Sequence, residues 1–127
     1  MKEFVKLSFI ALGVFTSGLL VSNAIADEAH VVDVKWTSMG EGQYRFDVSV
    51  AHSDEGWDHF ANAWDVVGLD GTVYGTRILA HPHVQEQPFT RSATISIPKG
   101  VKRVVVRAHD SVHEYGGKVI EVDLINN

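Results

Sequence analysis

The chain has 127 residues, a formal net charge of −5, 45% hydrophobic residues and only three prolines. This length and composition suit one globular domain with a single core. The longest basic run is Lys102–Arg103, so no concentrated positive field favours nucleic acid or an anionic membrane as a partner. Cysteine is absent, which excludes disulfides, thiolate metal sites, a lipid-modified cysteine and a cysteine nucleophile from these residues.

Residues 1–26 have the features of a secretory signal peptide. Basic residues precede an apolar run over Leu7–Val21, and Ala24–Ile25–Ala26 gives the small-x-small pattern that signal peptidase cleaves. Polar residues interrupt the apolar run, which is also short for a membrane span. We therefore expect a periplasmic or secreted protein whose folded domain comprises residues 27–127 and does not contact a membrane after cleavage.

Alternation of apolar and polar side chains along most of the remaining chain predicts β-strands. Val32, Val34 and Trp36 form one such row, and a second runs over Tyr44–Val50. Glycine- or proline-containing turn signals separate the apolar segments. No segment keeps the apolar period of a helix, so at most one helical turn is expected, near residues 57–61. The remaining strands are predicted at residues 63–67, 72–79, 93–97, 103–108 and 118–124.

Seven short strands in one small domain predict an all-β fold, a seven-stranded immunoglobulin-like Greek-key sandwich. The segment IPKGVKRVVVRAHDSVHEYGGKVIEVDL at residues 97–124 resembles the end of bacterial immunoglobulin-like and fibronectin-III-like domains. In those domains a Pro/Gly turn precedes a strand of the form V-x-V-x-A-x-D, so the resemblance implies the same sandwich. The predicted core contains Val34, Trp36, Phe46, Val48, Val66, Ile95, Val104 and Val106.

Three further blocks carry a broader resemblance. The segments GWDHFANAW, HPHVQEQPFTRS and RAHDSVHEYGGK resemble those of small exported proteobacterial proteins of unassigned activity. This resemblance extends over the chain after the signal peptide. It implies export but no particular function.

All seven histidines lie after residue 26, at predicted strand ends and in loops. In such a sandwich every second connection lies at the same end of the domain. We therefore expect all seven histidines at one end, which we call the histidine pole. His30 precedes the first strand, and three loops hold the other six: His52 and His59 after the second strand, His81 and His83 after the fourth, and His109 and His113 after the sixth.

A histidine pole of this kind predicts a metal site, because imidazole binds Cu²⁺ and Zn²⁺ and carboxylates can complete the ligand set. In an extended loop, His81 and His83 would point to the same side, with the backbone between them fixed by Pro82. The expected function is a periplasmic protein that sequesters or delivers Cu²⁺ or Zn²⁺. Its expected principal ligands are His81, His83, His109 and His113, with His52 and His59 next, and Asp110, Glu86 and His30 as alternative ligands or orienting partners.

The stretch Arg107–His113, followed by Gly116–Gly117, is similar to the Asp-x-His region of the small periplasmic copper-resistance C proteins. Those proteins are also cysteine-free β-sandwiches, and an N-terminal histidine completes their copper site. The resemblance implies copper as the metal and a role for His30. Here the spacing is Asp110-x2-His113, and His30 would be N-terminal only if cleavage followed Ala29.

Two other classes of function remain open. A non-catalytic accessory or adhesion module would use the histidine loops to contact a periplasmic protein partner. A metal-dependent enzyme would activate water on the ion, with Glu86 or Asp110 as base. A small sandwich with short loops offers little depth for a substrate, and the chain has no nucleophile-elbow, zinc-protease or nucleotide-binding motif. We therefore favour a binding protein over an enzyme.

Overall fold

The structure, a computed structural model, describes residues 28–124. The predicted signal peptide lies outside the described residues. Within them the chain forms seven β-strands and no helix. The strands are β1 His30–Gly40, β2 Gln43–Ala51, β3 Ala61–Gly68, β4 Val73–Ile78, β5 Phe89–Ser96, β6 Arg103–Asp110 and β7 Ile120–Asp123.

The strands form two antiparallel sheets. The three-stranded sheet has the order β1-β2-β5, and the four-stranded sheet has the order β4-β3-β6-β7. The chain therefore forms the β1–β2 pair in the first sheet and the β3–β4 pair in the second, returns to the first sheet with β5, and finishes in the second with the antiparallel pair β6–β7. This architecture confirms the predicted all-β class and the seven-stranded sandwich.

The core lies between the two sheets. Its largest fully buried side chains are Trp64, Phe46 and Phe89. Six of the eight predicted core residues are buried, and Val34 and Trp36 are partly buried against the same cluster. Alternation along the strands therefore predicts the core well, since each strand presents one face to the opposite sheet.

The first strand departs from the predicted alternation at its start. Val31 pairs with Val50 and Asp33 pairs with Ser49, so the register shifts between them and Val32 has no pairing partner. Val31 is fully buried, whereas Val32 is 41% exposed. The inward position predicted for Val32 is therefore wrong, because a one-residue shift in register moves the side chains to the opposite face.

Strand ends from both sheets meet at the histidine pole. The pairings Val50 with Phe89 and Ala61 with Asp110 place the end of β2 beside the start of β5, and the start of β3 beside the end of β6. The prediction that His109 lies in a loop is wrong. It pairs with Ala63, because the β3–β6 ladder continues to the last residue of β6. His30 likewise lies within a strand, as the first residue of β1.

Candidate metal centre

Two polar side chains close the end of the core at the histidine pole. The inward-facing row of β2 passes through Val50 and continues to His52, the first residue after the strand. The inward-facing row of β6 passes through Ala108 and ends at Asp110. Both side chains are fully buried. Since β2 and β6 belong to different sheets, His52 and Asp110 meet across the sandwich.

His59 joins these two residues to form a group of three possible ligands. Its Nε2 atom lies 3.2 Å from His52 Nε2 and 3.7 Å from Asp110 Oδ1. His52 Nε2 lies 3.4 Å from Asp110 Oδ2. In a tetrahedral zinc site with bonds of ~2.0 Å, the ligand atoms are ~3.3 Å apart. The three side chains therefore have the spacing of ligands around one ion, and we call them the metal centre.

In each of the two imidazole rings, the Nδ1 atom, which points away from the metal centre, contacts a carboxylate. His52 Nδ1 lies 2.5 Å from Asp54 Oδ1, and His59 Nδ1 lies 3.1 Å from Glu55 Oε1. When Nδ1–H donates to a carboxylate, the Nε2 lone pair is available to a metal. Two such lone pairs and the Asp110 carboxylate repel one another unless a cation lies between them. A metal ion bound between the three groups would relieve that repulsion.

Backbone hydrogen bonds keep the Asp110 carboxylate negatively charged. Burial raises the pKa of Asp110, but backbone N–H groups of His113 and Val112 donate to the carboxylate and bring the net pKa below its ordinary value. The two bonds to Oδ1 measure 2.5 Å and 2.8 Å. Asp110 is therefore ionised near neutral pH and supplies the charge that a divalent ion requires.

A fourth donor lies at the solvent edge of the metal centre. His113 Nδ1 is 3.4 Å from Asp110 Oδ2, and its ring centroid is 5.0 Å from that of His59. Its side chain is 33% exposed. His113 is thus close to the three converging ligands but less buried than any of them.

Asp54 connects the two loops that flank the metal centre. Besides the His52 ring, its carboxylate accepts the backbone N–H of Ala61 at 3.0 Å and that of His83 at 2.6 Å. The carboxylate therefore ties the β2–β3 loop to the β4–β5 loop. Asp54 is not among the ligands or orienting partners predicted from the sequence. The signal was present, because His52-x-Asp54 continues the alternation of β2.

His81 and His83 form a separate pair beside the metal centre. The His83 ring is buried and stacks on Phe89, with centroids 3.9 Å apart and planes at 10°. The exposed His81 ring lies 4.7 Å from it. His83 Nδ1 is 4.0 Å from Asp54 Oδ2. The structure therefore places this pair against the carboxylate that orients His52.

The other three candidate residues make contacts of their own. His109 faces outward from the four-stranded sheet, where Nδ1 lies 2.6 Å from Asn62 Oδ1. Glu86 accepts a 3.2 Å bond from Arg91. His30 Nδ1 accepts the backbone N–H of Lys118 at 2.8 Å. The four principal ligands expected from the sequence therefore do not form one group, since His109 lies on an outer face and His113 lies beside Asp110.

The chain is similar to a protein from Halomicrobium mukohataei that is described as "Putative lipoprotein". The two are 47% identical over 96 residues, which cover 76% of this chain and 47% of the relative. The chain thus spans about half the length of this relative. No protein-family description and no solved structure match the chain. Among residues 28–124, no helix is long and apolar enough to cross a membrane.

Proposed function

We propose that the protein binds a divalent transition-metal ion, Zn²⁺ or Cu²⁺, at the metal centre. The observation that carries the proposal is the convergence of His52, His59 and Asp110, whose ligand atoms all lie within 4.8 Å of one another. Carboxylates orient both rings, and backbone N–H groups orient Asp110. The chain therefore holds the donors in place before an ion arrives, which reduces the entropy cost of binding.

The donor set favours these two metals. Two imidazole nitrogens and a carboxylate oxygen suit Zn²⁺ and Cu²⁺, whereas thiolate and thioether sites prefer softer ions. Three protein donors leave one position for water, for His113 or for a ligand from a partner. An incomplete ligand set of this kind suits a protein that takes up an ion and later releases it. We therefore propose sequestration or delivery of the ion, with a second protein as the donor or acceptor.

We also propose that this function is performed outside the cytoplasm. Residues 1–26 have the sequence features of a secretory signal peptide. Lipoproteins are exported, so the description of the relative from Halomicrobium mukohataei supports the same conclusion. A periplasmic or secreted location would expose the histidine pole to metal ions before they enter the cell.

Calorimetric titration with ZnCl₂ or CuSO₄ tests the proposal. The decisive variant is His59→Ala, because the His59 side chain is 13% exposed and lies at the edge of the core. Its matched control is His109→Ala, which removes an imidazole from the outer face. Loss of a ligand should weaken tight binding by at least the ~10–100-fold typical of losing an orienting partner. Equal affinities in the two variants would overturn the proposal.

A further inference from the structure

The imidazole of His83 is buried without the partners that a buried polar ring normally has. Its side chain is 3% exposed, and neither ring nitrogen has a hydrogen-bond partner among the described residues. One ring face stacks on Phe89. Burial of unpartnered nitrogen atoms costs free energy. A bound ion would compensate for that cost at whichever nitrogen it coordinated.

A second imidazole, that of His81, lies beside the His83 ring. The ring centroids of His81 and His83 are 4.7 Å apart. Two imidazoles on one zinc or copper ion have centroids about 5 Å apart, given metal–nitrogen bonds of ~2.0 Å. The two rings of the metal centre, His52 and His59, have nearly the same separation, 4.8 Å. Pro82 fixes the backbone dihedral φ between His81 and His83.

The charges around the pair permit a cation. Arg91 carries the positive charge that acts on the His83 ring. The Arg91 guanidinium is itself paired with Glu86 at 3.2 Å. Asp54 Oδ2, 4.0 Å from His83 Nδ1, adds negative charge on the other side.

We propose that His81 and His83 form a second binding position for Zn²⁺ or Cu²⁺, distinct from the metal centre. Exposed His81 is the accessible donor and buried His83 is the fixed one. Water completes the ligand set, so this position binds more weakly than the metal centre. Asp54 adjoins both positions, because it accepts the His83 backbone N–H and contacts the His52 ring. The histidine pole therefore offers an accessible position beside a buried one.

The test is the stoichiometry of Zn²⁺ binding to untagged, exported protein, measured by calorimetry with ZnCl₂. Wild type and His109→Ala should each bind a tight ion and a weaker ion. His81→Ala should lose only the weaker event. Because His81 is exposed, this substitution leaves the core intact. His59→Ala should lose the tight event and retain the weaker one.

The outcomes separate this proposal from the proposed function. A single event in wild type that persists in His81→Ala and disappears in His59→Ala would overturn the second position and leave the metal centre standing. A single event in wild type that disappears in His81→Ala and is unchanged in His59→Ala would overturn the metal centre and leave the second position standing. Two events that both persist in His81→Ala would also overturn the second position, since the weaker ion would then bind elsewhere.

Discussion

His52 Nε2 and Asp110 Oδ2 face each other across the end of the sandwich, 3.4 Å apart. Each side chain ends an inward-facing row in a different sheet, so the core is closed at this end by a polar pair instead of a hydrophobic layer. Burial of a charged carboxylate is favourable only when hydrogen bonds or an opposite charge compensate for lost hydration. Stability of the fold and occupancy of the metal centre should therefore be linked.

Substitution of Asp110 should destabilise the protein even without metal. Asp110→Ala removes the acceptor for two backbone N–H groups, those of Val112 and His113. It also removes the carboxylate that lies beside the Nε2 atoms of the buried His52 ring and the partly buried His59 ring. We expect a loss of about 3 kcal/mol in the free energy of unfolding, as is typical when one partner of a buried polar network is removed.

Asp110→Asn is the matched control, because it retains one carbonyl oxygen for the backbone while removing the charge. It should destabilise the metal-free protein less than Asp110→Ala and still abolish tight Zn²⁺ binding. Urea unfolding and calorimetry measure the two properties separately. Equal stability of wild type and Asp110→Ala would show that the carboxylate does not hold the β6–β7 loop.

Added metal should stabilise the wild-type protein. An ion that binds only the folded state adds ~2.7 kcal/mol at a free concentration 100 times its dissociation constant. Urea unfolding with and without ZnCl₂ should show this gain in wild type and His109→Ala, and a clearly smaller gain in His59→Ala, which keeps only the weaker ion. Protons compete with the ion for imidazole, so the gain should shrink as the pH falls. A gain of equal size in all three proteins would place the ion elsewhere.

Asp54 should matter more to the metal centre than Glu55, although each carboxylate binds one ligand ring. Asp54 is buried and also accepts two backbone N–H groups, whereas the Glu55 side chain is 67% exposed. Asp54→Asn should lower metal affinity by ~10–100-fold and reduce stability. Glu55→Gln should have a much smaller effect on both. Calorimetry on the two variants checks this, and effects of equal size would contradict it.

Alternation along the strands predicts which side chains near the metal centre face inward. The row of valines in β6 ends at Asp110, which places this carboxylate inward and its neighbour His109 outward. The same parity places His52 inward after Val50. The loop that holds a histidine predicts which end of the domain it occupies, but it does not predict which side of the sheet the ring faces.

The position of His59 could not be predicted from periodicity. It lies in the irregular β2–β3 loop, where its backbone N–H donates to Gly56 O and its carbonyl accepts the N–H of Glu55. These contacts fold the loop back so that the ring reaches His52. A loop without a repeating side-chain pattern gives no sequence signal for such a turn, because its conformation depends on contacts formed after the strands assemble.

Tyr115 should stabilise the β6–β7 loop, which carries His113. Its hydroxyl donates to Asp65 Oδ2 at 2.6 Å, and the Arg107 guanidinium lies 3.9 Å above the centre of its ring. Tyr115→Phe removes the hydrogen bond while retaining the ring. Near neutral pH we expect a loss of ~1 kcal/mol in the free energy of unfolding, the usual net contribution of one hydrogen bond. Urea unfolding measures this loss.

The effect of Tyr115→Phe should also depend on pH in a defined direction. Burial and the hydrogen bond to Asp65 raise the pKa of Tyr115 above its ordinary value. A raised pKa means that the stabilisation is fully present below the unfolded-state value of ~10 and is lost as the pH rises through the folded-state value. Wild type should therefore exceed Tyr115→Phe in stability at pH 7 and lose that advantage in alkali. If the difference between wild type and Tyr115→Phe stayed constant into alkali, the Tyr115–Asp65 bond would not be the source of the stabilisation.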